Sequence, residues 1–404
     1  MSAIYLYDDA CARTFEPFAL TRPAGEMRAG ALLVRERWER ALGAEVAGHV
    51  TAPQLAGFQE LDAAPVVTTG TLPKGSWLVN ARFAPALDVL GAPDEVVAGD
   101  SLAAVRLASD VDVATLLDGQ ATLGSLAYQP NSGRHVVSAR GWWMREVWDY
   151  VAHLVTMLDH DLPILGSAMS RELPHGCIRV GTHHVFVEDG ATVEAAVCFD
   201  VSAGPVLIRS GAHVQAFTRL VGPLYIGTQS VITTDRIATS SIGDVCKVHG
   251  EVSNAIFIGH ANKGHDGFVG HSMLGRWVNL GAGTITSNLK NTYGTVQLWT
   301  PDGVRETGLP FLGTMFGDHA KTGIGLRLTT GCVLGAGANV YGSAMPGKAV
   351  APFSWGEAGD FAPFRLEKFL EVAERMMARR QIVLTPSARE QLSASYRARW
   401  TLSE

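Results

Sequence analysis

Ile208-Arg209-Ser210-Gly211-Ala212-His213-Val214-Gln215-Ala216-Phe217-Thr218-Arg219-Leu220-Val221-Gly222-Pro223-Leu224-Tyr225-Ile226-Gly227-Thr228-Gln229-Ser230-Val231-Ile232 carries an aliphatic residue at every sixth position, namely Ile208, Val214, Leu220, Ile226 and Ile232. The step returns at Leu274 and Leu280, and again at Leu328, Leu334 and Val340. Glycine follows many aliphatics directly, as in Ile226-Gly227, Ile242-Gly243, Leu274-Gly275, Leu280-Gly281 and Leu334-Gly335. Each step reads as one short strand and one turn. The aliphatic side chain points inward to stack on its copy one coil away, and glycine relieves the backbone at the corner. This is the hexapeptide signature of a parallel β-helix. A β-sandwich would alternate at period two with turns about every 8–12 residues, and this segment does not.

The glycine distribution marks the extent of the solenoid: 28 of the 44 glycines fall within residues 181–356. The period breaks between Leu289 and Met315, around the turn Pro301-Asp302-Gly303, and insertions of this kind project from one face of a solenoid. After Trp355-Gly356 the pattern becomes helical. Leu366, Phe369, Leu370, Ala373, Met376 and Met377 form one stripe that ends at Arg379-Arg380, which reads as packing against the solenoid. A second helix is expected from Thr385-Pro386-Ser387, with Ser387 and Glu390 at capping-box spacing.

The first 165 residues differ. Ile4-Tyr5-Leu6-Tyr7 and Trp77-Leu78-Val79-Asn80 read as strands, whereas Gly30 to Leu42 and Met144 to Leu158 read as helices. Strands alternating with helices predict an α/β domain with a largely parallel sheet, whose ligands sit at the carboxyl ends of the strands. The expected organisation is therefore an α/β domain over 1–165, a β-helix over 180–356 and a helical tail over 357–404.

Composition narrows the function classes. Of 404 residues, 47% are hydrophobic and 18% charged, which excludes a disordered or fibrous chain. The net charge of −6 argues against a general electrostatic grip on nucleic acid. Cys11, Cys177, Cys198, Cys246 and Cys332 are scattered and form no C-x-x-C pair, so neither a disulfide framework nor a zinc knuckle is supported. No apolar run approaches the ~18 residues of a membrane span, and the first residues lack a basic region and a long apolar stretch. These features predict a protein of a reducing compartment, the cytoplasm.

The densest polar constellation is Gly259-His260-Ala261-Asn262-Lys263-Gly264-His265-Asp266-Gly267-Phe268-Val269-Gly270-His271, followed by Val278-Asn279-Leu280-Gly281-Ala282-Gly283-Thr284-Ile285-Thr286-Ser287-Asn288. The histidine spacings of five and six do not direct two rings at one ion, so a metal site is not expected. The string resembles the acetyltransferase half of the GlmU family, which makes UDP-N-acetylglucosamine. Gly264-His265, Gly270, Gly275, Asn279-Leu280-Gly281-Ala282-Gly283-Thr284-Ile285-Thr286 and Asn288 match the family string without a gap. The resemblance implies a left-handed parallel β-helix that trimerises, with active sites between subunits. It implies that His265 is the base that takes a proton from the sugar amine as the amine attacks the acetyl thioester. It further implies that Asn279 contacts the sugar phosphate and Ala282 the acetyl-CoA, with Asn288 and Lys290 at the sugar side. Phe316-Gly317-Asp318-His319-Ala320-Lys321-Thr322-Gly323 resembles the coil that follows, and Lys321 is a candidate cation for the coenzyme. The family's tyrosine is Phe268 here, its preceding lysine aligns with Ser253, and its lysine-rich loop becomes Leu289-Lys290-Asn291-Thr292-Tyr293-Gly294.

In the first domain, Arg13-Thr14-Phe15-Glu16-Pro17-Phe18-Ala19-Leu20-Thr21-Arg22-Pro23 resembles part of the signature of sugar-1-phosphate nucleotidyltransferases. An arginine-rich turn can clamp phosphates through bidentate hydrogen bonds, which makes Arg22 and Arg28 candidates beside Asn80 and Arg82. The signature's glycines are replaced by Asp8-Asp9-Ala10-Cys11-Ala12, its lysine by Ala24 and its magnesium-binding aspartate by Asn80. The expected activity is acyl transfer from acetyl-CoA to an amino sugar phosphate in the β-helix, with nucleotidyl transfer from a nucleoside triphosphate to a sugar 1-phosphate, Mg2+ assisting, in the first domain. Two alternatives stay open: a nucleotidyltransferase whose solenoid serves only as a trimerisation scaffold, and a non-catalytic nucleotide-sugar binding protein.

Overall fold

The computed structural model describes residues 3–127 and 133–402. The chain divides into two compact units, one formed by residues up to Asp149 with Leu384–Ala398 and the other by Tyr150–Val383 with the residues from Arg399.

The first unit is built on a six-stranded sheet. Its strands are β1 (Ile4–Tyr7), β2 (Val46–Val50), β3 (Trp77–Asn80), β4 (Glu95–Ala98), β5 (Ser101–Arg106) and β6 (Val136–Ser138), in the order β6-β4-β5-β3-β1-β2. β1 runs parallel to both β2 and β3, and β6 runs parallel to β4, but β5 is antiparallel to both its neighbours. The sheet is therefore mixed rather than largely parallel. The cause is local: Ala98 pairs with Ser101 across the two residues Gly99-Asp100, with Gly99 at φ +61°, so a tight hairpin stands where a parallel sheet needs a crossover. Tyr7, Val50, Leu78 and Val105 pack into one buried cluster on this sheet.

Two expected helices start later than the sequence pattern suggests. Gly30 at φ +62° turns the chain between the short strands Arg28–Ala29 and Leu32–Leu33, and helix α1 spans Val34–Leu42, with Glu36 accepting from the Leu33 N–H. Residues Met144–Trp148 are not helical. Asp149 accepts from the N–H groups of Arg145 and Glu146, and helix follows over Asp149–Ala152 and, as α2, over Leu154–Leu165.

The second unit confirms the reading of Ile208 to Ile232. Its strands stack coil on coil into three parallel sheets of six, nine and ten strands, the last closed by the antiparallel strand Asp360–Pro363. Val214, Ile232 and Val248 are successive sheet partners, as are Leu280, Thr322 and Val340. The aliphatics among them fill the lumen, and Thr322 is the polar member of its column. The insertion is closed by a bridge between Leu289 and Phe311 and carries a hairpin, Gln297–Thr300 with Gly303–Glu306, turning at Pro301-Asp302 as expected. Helix α3 (Leu366–Ala378) sets Phe369 edge-on against Phe353 and His319 of the solenoid. Helix α4 (Pro386–Arg397) is capped by Thr385, whose Oγ1 accepts from the Ala388 N–H, rather than by Ser387. α4 packs on the first unit, where Ser395 donates to the Leu20 carbonyl. Among the described residues, no helix is long and apolar enough to cross a membrane.

Candidate functional site

Solenoid stacking brings residues from six successive coils to one cavity of about 880 Å³, beginning with Gln215 and with Thr233 and Thr234. Lys247 and His249 come from the third coil, His265 and Asp266 from the fourth, Ala282 and Gly283 from the fifth and Ile324 from the sixth. His265 and Ala282, seventeen residues apart, thus share a wall because one coil of the prism separates them.

The two histidines on this wall differ in orientation. His249 Nε2 lies 2.9 Å from Asp266 Oδ1, and its Nδ1 faces the Thr233 carbonyl and, at 3.0 Å, Thr234 Oγ1. Both its nitrogens are engaged within the wall. His265 is exposed to the cavity, and among the described residues no side chain is bonded to its ring. A general base needs a ring nitrogen open to the group it deprotonates, and His265 is the one that offers it.

His249 was not singled out in the sequence. Its signal lies in the coil Lys247-Val248-His249, which precedes the matched string by one turn.

The other expected residues are placed as follows. Asn279 stands in an outward column of sheet partners running Lys247, Asn262, Asn279, Lys321 and Asn339. Its Oδ1 accepts from Asn262 Nδ2 at 2.7 Å. Lys321 donates to the His319 carbonyl at 2.9 Å, and burial lowers its ammonium to about 8. The column touches the cavity through Lys247 alone. Asn288 Nδ2 lies 2.9 Å from His271 Nδ1, and that ring stacks on Phe311. Burial lowers His271 to about 4, so it is neutral at physiological pH. Lys290 lies near Glu306 and Lys348 at the base of the insertion hairpin. Neither Asn288 nor Lys290 lines the cavity. Among the described residues no cluster of three or more metal-ligating groups occurs.

In the first unit, a cavity of about 570 Å³ opens where β1 and β3 end, lined by Tyr7, Asp9, Asn80, Arg82, Trp143 and Arg145 among others. β1 connects to β2 on one side while β3 lies on the other, and such a reversal of strand order is where open α/β sheets bind ligands. Arg82 grips Asp9 through Nε at 2.8 Å and Nη2 at 2.6 Å, and Asn80 Nδ2 donates to the same carboxylate at 2.9 Å. The Ala12 N–H donates to it as well. These bonds hold Asp9 below the ordinary carboxylate range against the desolvation that would raise it. Burial pushes the Tyr7 phenol up to about 12. Arg22 and Arg28 are not brought here. Both are buried, Arg22 on Glu60 at 2.8 Å and Arg28 on the Ala31 carbonyl.

A hard dication is held by several oxygen ligands, usually carboxylates. Among the described residues lining this cavity Asp9 is the one acid, and a guanidinium already neutralises it. The residues present do not fit a resident magnesium ion.

Known proteins resemble part of the chain. Residues 4–169 match the family model of sugar nucleotidyl transferases. Over 166 residues the chain is 29% identical to a bifunctional sugar-1-phosphate nucleotidylyltransferase/acetyltransferase of Sulfurisphaera tokodaii, covering 41% of this chain and 40% of that relative. The chain thus spans less than half the length of this curated relative. Two structures of AntD, an N-acyltransferase from Bacillus cereus, each cover 50% of this chain at 14% identity. Their TM-scores of 0.23 and 0.20 are too low to bear on fold or activity. The chain is thus similar to sugar nucleotidyl transferases over residues 4–169, and a parallel β-helix follows.

Proposed function

We propose that the β-helix transfers an acetyl group from acetyl-CoA to the amino group of a sugar phosphate, with His265 as general base. The observation that carries this reading is the shared cavity wall of His265 and Ala282, the residues that resemblance assigns to the base and to the acetyl donor. His265 takes the proton from the amine as the nitrogen attacks the thioester carbonyl, and coenzyme A leaves as the thiol. Lys247 supplies a cation beside the ring, suited to a phosphate. The cavity is open along one corner of the prism, and a homotrimer in which a neighbouring prism covers it fits this reading.

The first domain contributes nucleotide binding, with the Arg82 fork as the group that receives phosphate. Nucleotidyl transfer to a sugar 1-phosphate is the activity expected of its family. The Asp9–Arg82 pair favours a second reading for this domain alone, that it holds a nucleotide sugar without forming it.

One panel tests these readings. Purified protein is assayed for coenzyme A release with acetyl-CoA and glucosamine 1-phosphate, and for pyrophosphate release with a sugar 1-phosphate and each common nucleoside triphosphate, with and without Mg2+. Thiol release supports acyl transfer. Pyrophosphate without thiol supports a nucleotidyltransferase on a scaffold, and binding without either product supports the non-catalytic reading.

A further inference from the structure

Lys263 occupies a position where the fold asks for an aliphatic residue. It is the sheet partner of Val248, and its neighbour Asn262 pairs with Asn279, which sets Lys263 beside Leu280. It therefore stands in the lumen column of Val214, Ile232, Val248, Leu280 and Val340 and is 2% exposed. A lone ammonium in an apolar lumen is costly unless its hydrogens are satisfied. Here Nζ donates to the His249 carbonyl at 2.6 Å and to the His265 carbonyl at 2.7 Å.

These two carbonyls belong to the two histidines of the cavity wall. Gly250, at φ +82°, makes room for the knot: a Cβ there would lie 2.7 Å from Lys263 Nζ and 2.9 Å from the His265 oxygen.

We infer that Lys263 is a positioning residue for the acyl transfer, tethering the His265 backbone to the coil below so that the imidazole is held at the cavity wall. The inference rests on the function proposed above for His265. The loop Gly264-His265-Asp266-Gly267 has glycine at both ends, and without the tether the base sits on a segment free to shift. Burial lowers the Lys263 ammonium to about 8, yet a neutral amine still has two N–H groups, enough for both carbonyls. The tether therefore holds on either side of that titration.

Lys263→Met distinguishes positioning from a merely structural role, because methionine suits the aliphatic column and the relief of a buried ammonium offsets the two carbonyls left without that donor. The melting temperature of Lys263→Met is expected to change by only a few degrees. Hydrogen exchange at the Gly283 amide, which donates to the Asp266 carbonyl of this loop at 3.0 Å, is expected to quicken at least tenfold, and kcat for acetyl transfer to fall about tenfold to a hundredfold, as small misplacements of a catalytic group do. Lys263→Arg, which keeps donors at the site, recovers part of both losses. Unchanged exchange at the Gly283 amide in Lys263→Met overturns the inference whatever the activity. A His265→Ala control separates the two claims: if His265→Ala keeps full turnover, the proposed function of His265 fails, and if only Lys263→Met keeps it, the positioning role fails.

Discussion

Arg82 closes a bidentate ion pair on Asp9 at the carboxyl ends of two adjacent parallel strands, with Asn80 donating to the same carboxylate. The fork, the amide and the Ala12 N–H form a cradle for one anion, and Asp9 is the anion they hold. An incoming phosphate competes with it.

Arg82→Gln is therefore expected to weaken binding of a nucleoside triphosphate by about tenfold to a hundredfold, the range of one lost charge-assisted pair. Asp9→Asn keeps an acceptor for the Ala12 N–H but removes the competing charge, and inorganic pyrophosphate should bind roughly tenfold tighter. Isothermal titration of both variants checks the pair of predictions. Weaker pyrophosphate binding to Asp9→Asn would remove the competition.

His271 gives the second unit a pH dependence of known sign. Its folded pKa, near 4, lies below the ordinary histidine value of 6.5 because burial disfavours the imidazolium. Between those values the unfolded chain binds more protons than the native one. Its contribution is complete above pH 6.5 and declines as the pH falls toward 4, by up to about 3 kcal/mol. Thermal melts over this range should show a shallower decline for His271→Gln, which keeps an acceptor for Asn288. Parallel curves for the two proteins would contradict the assignment.

Phe369 anchors the tail helix to the solenoid. Gly337, at φ +67°, leaves the space: a Cβ there would stand 2.5 Å from the Phe353 ring and 3.0 Å from that of Phe369. Phe369→Ala should cost about 3–5 kcal/mol, and Gly337→Ala should destabilise through both clash and backbone strain. Chemical denaturation of the two single variants and the double variant is expected to show sub-additive losses, because both disturb one contact. Strict additivity would place them at independent sites.

The hexapeptide period made the solenoid readable because its lumen is filled mostly by inward aliphatics at fixed register, so Val214, Ile232 and Val248 betray their stacking without long-range information. His265 and Ala282 were named by resemblance alone, and that they share one wall is what the stacking adds. The first domain was harder. Its hairpin at Gly99-Asp100 reverses one strand, a feature of local turn chemistry that the alternating pattern hides. Arg22 and Arg28 looked like phosphate ligands in the chain but are drawn into buried pairs with Glu60 and the Ala31 carbonyl, partners that only the fold supplies. Lys263 was visible as a charge within the glycine-rich string, yet its inward direction depends on register with Val248.

The central claim is that the His265 imidazole deprotonates the attacking amine. Steady-state coenzyme A release by His265→Ala, with acetyl-CoA binding and melting temperature measured on the same preparation, tests it directly. The predicted result is a fall in kcat of at least about a hundredfold, the scale of a lost general base, with acetyl-CoA affinity and stability retained. Turnover equal to that of the unaltered protein would contradict the account.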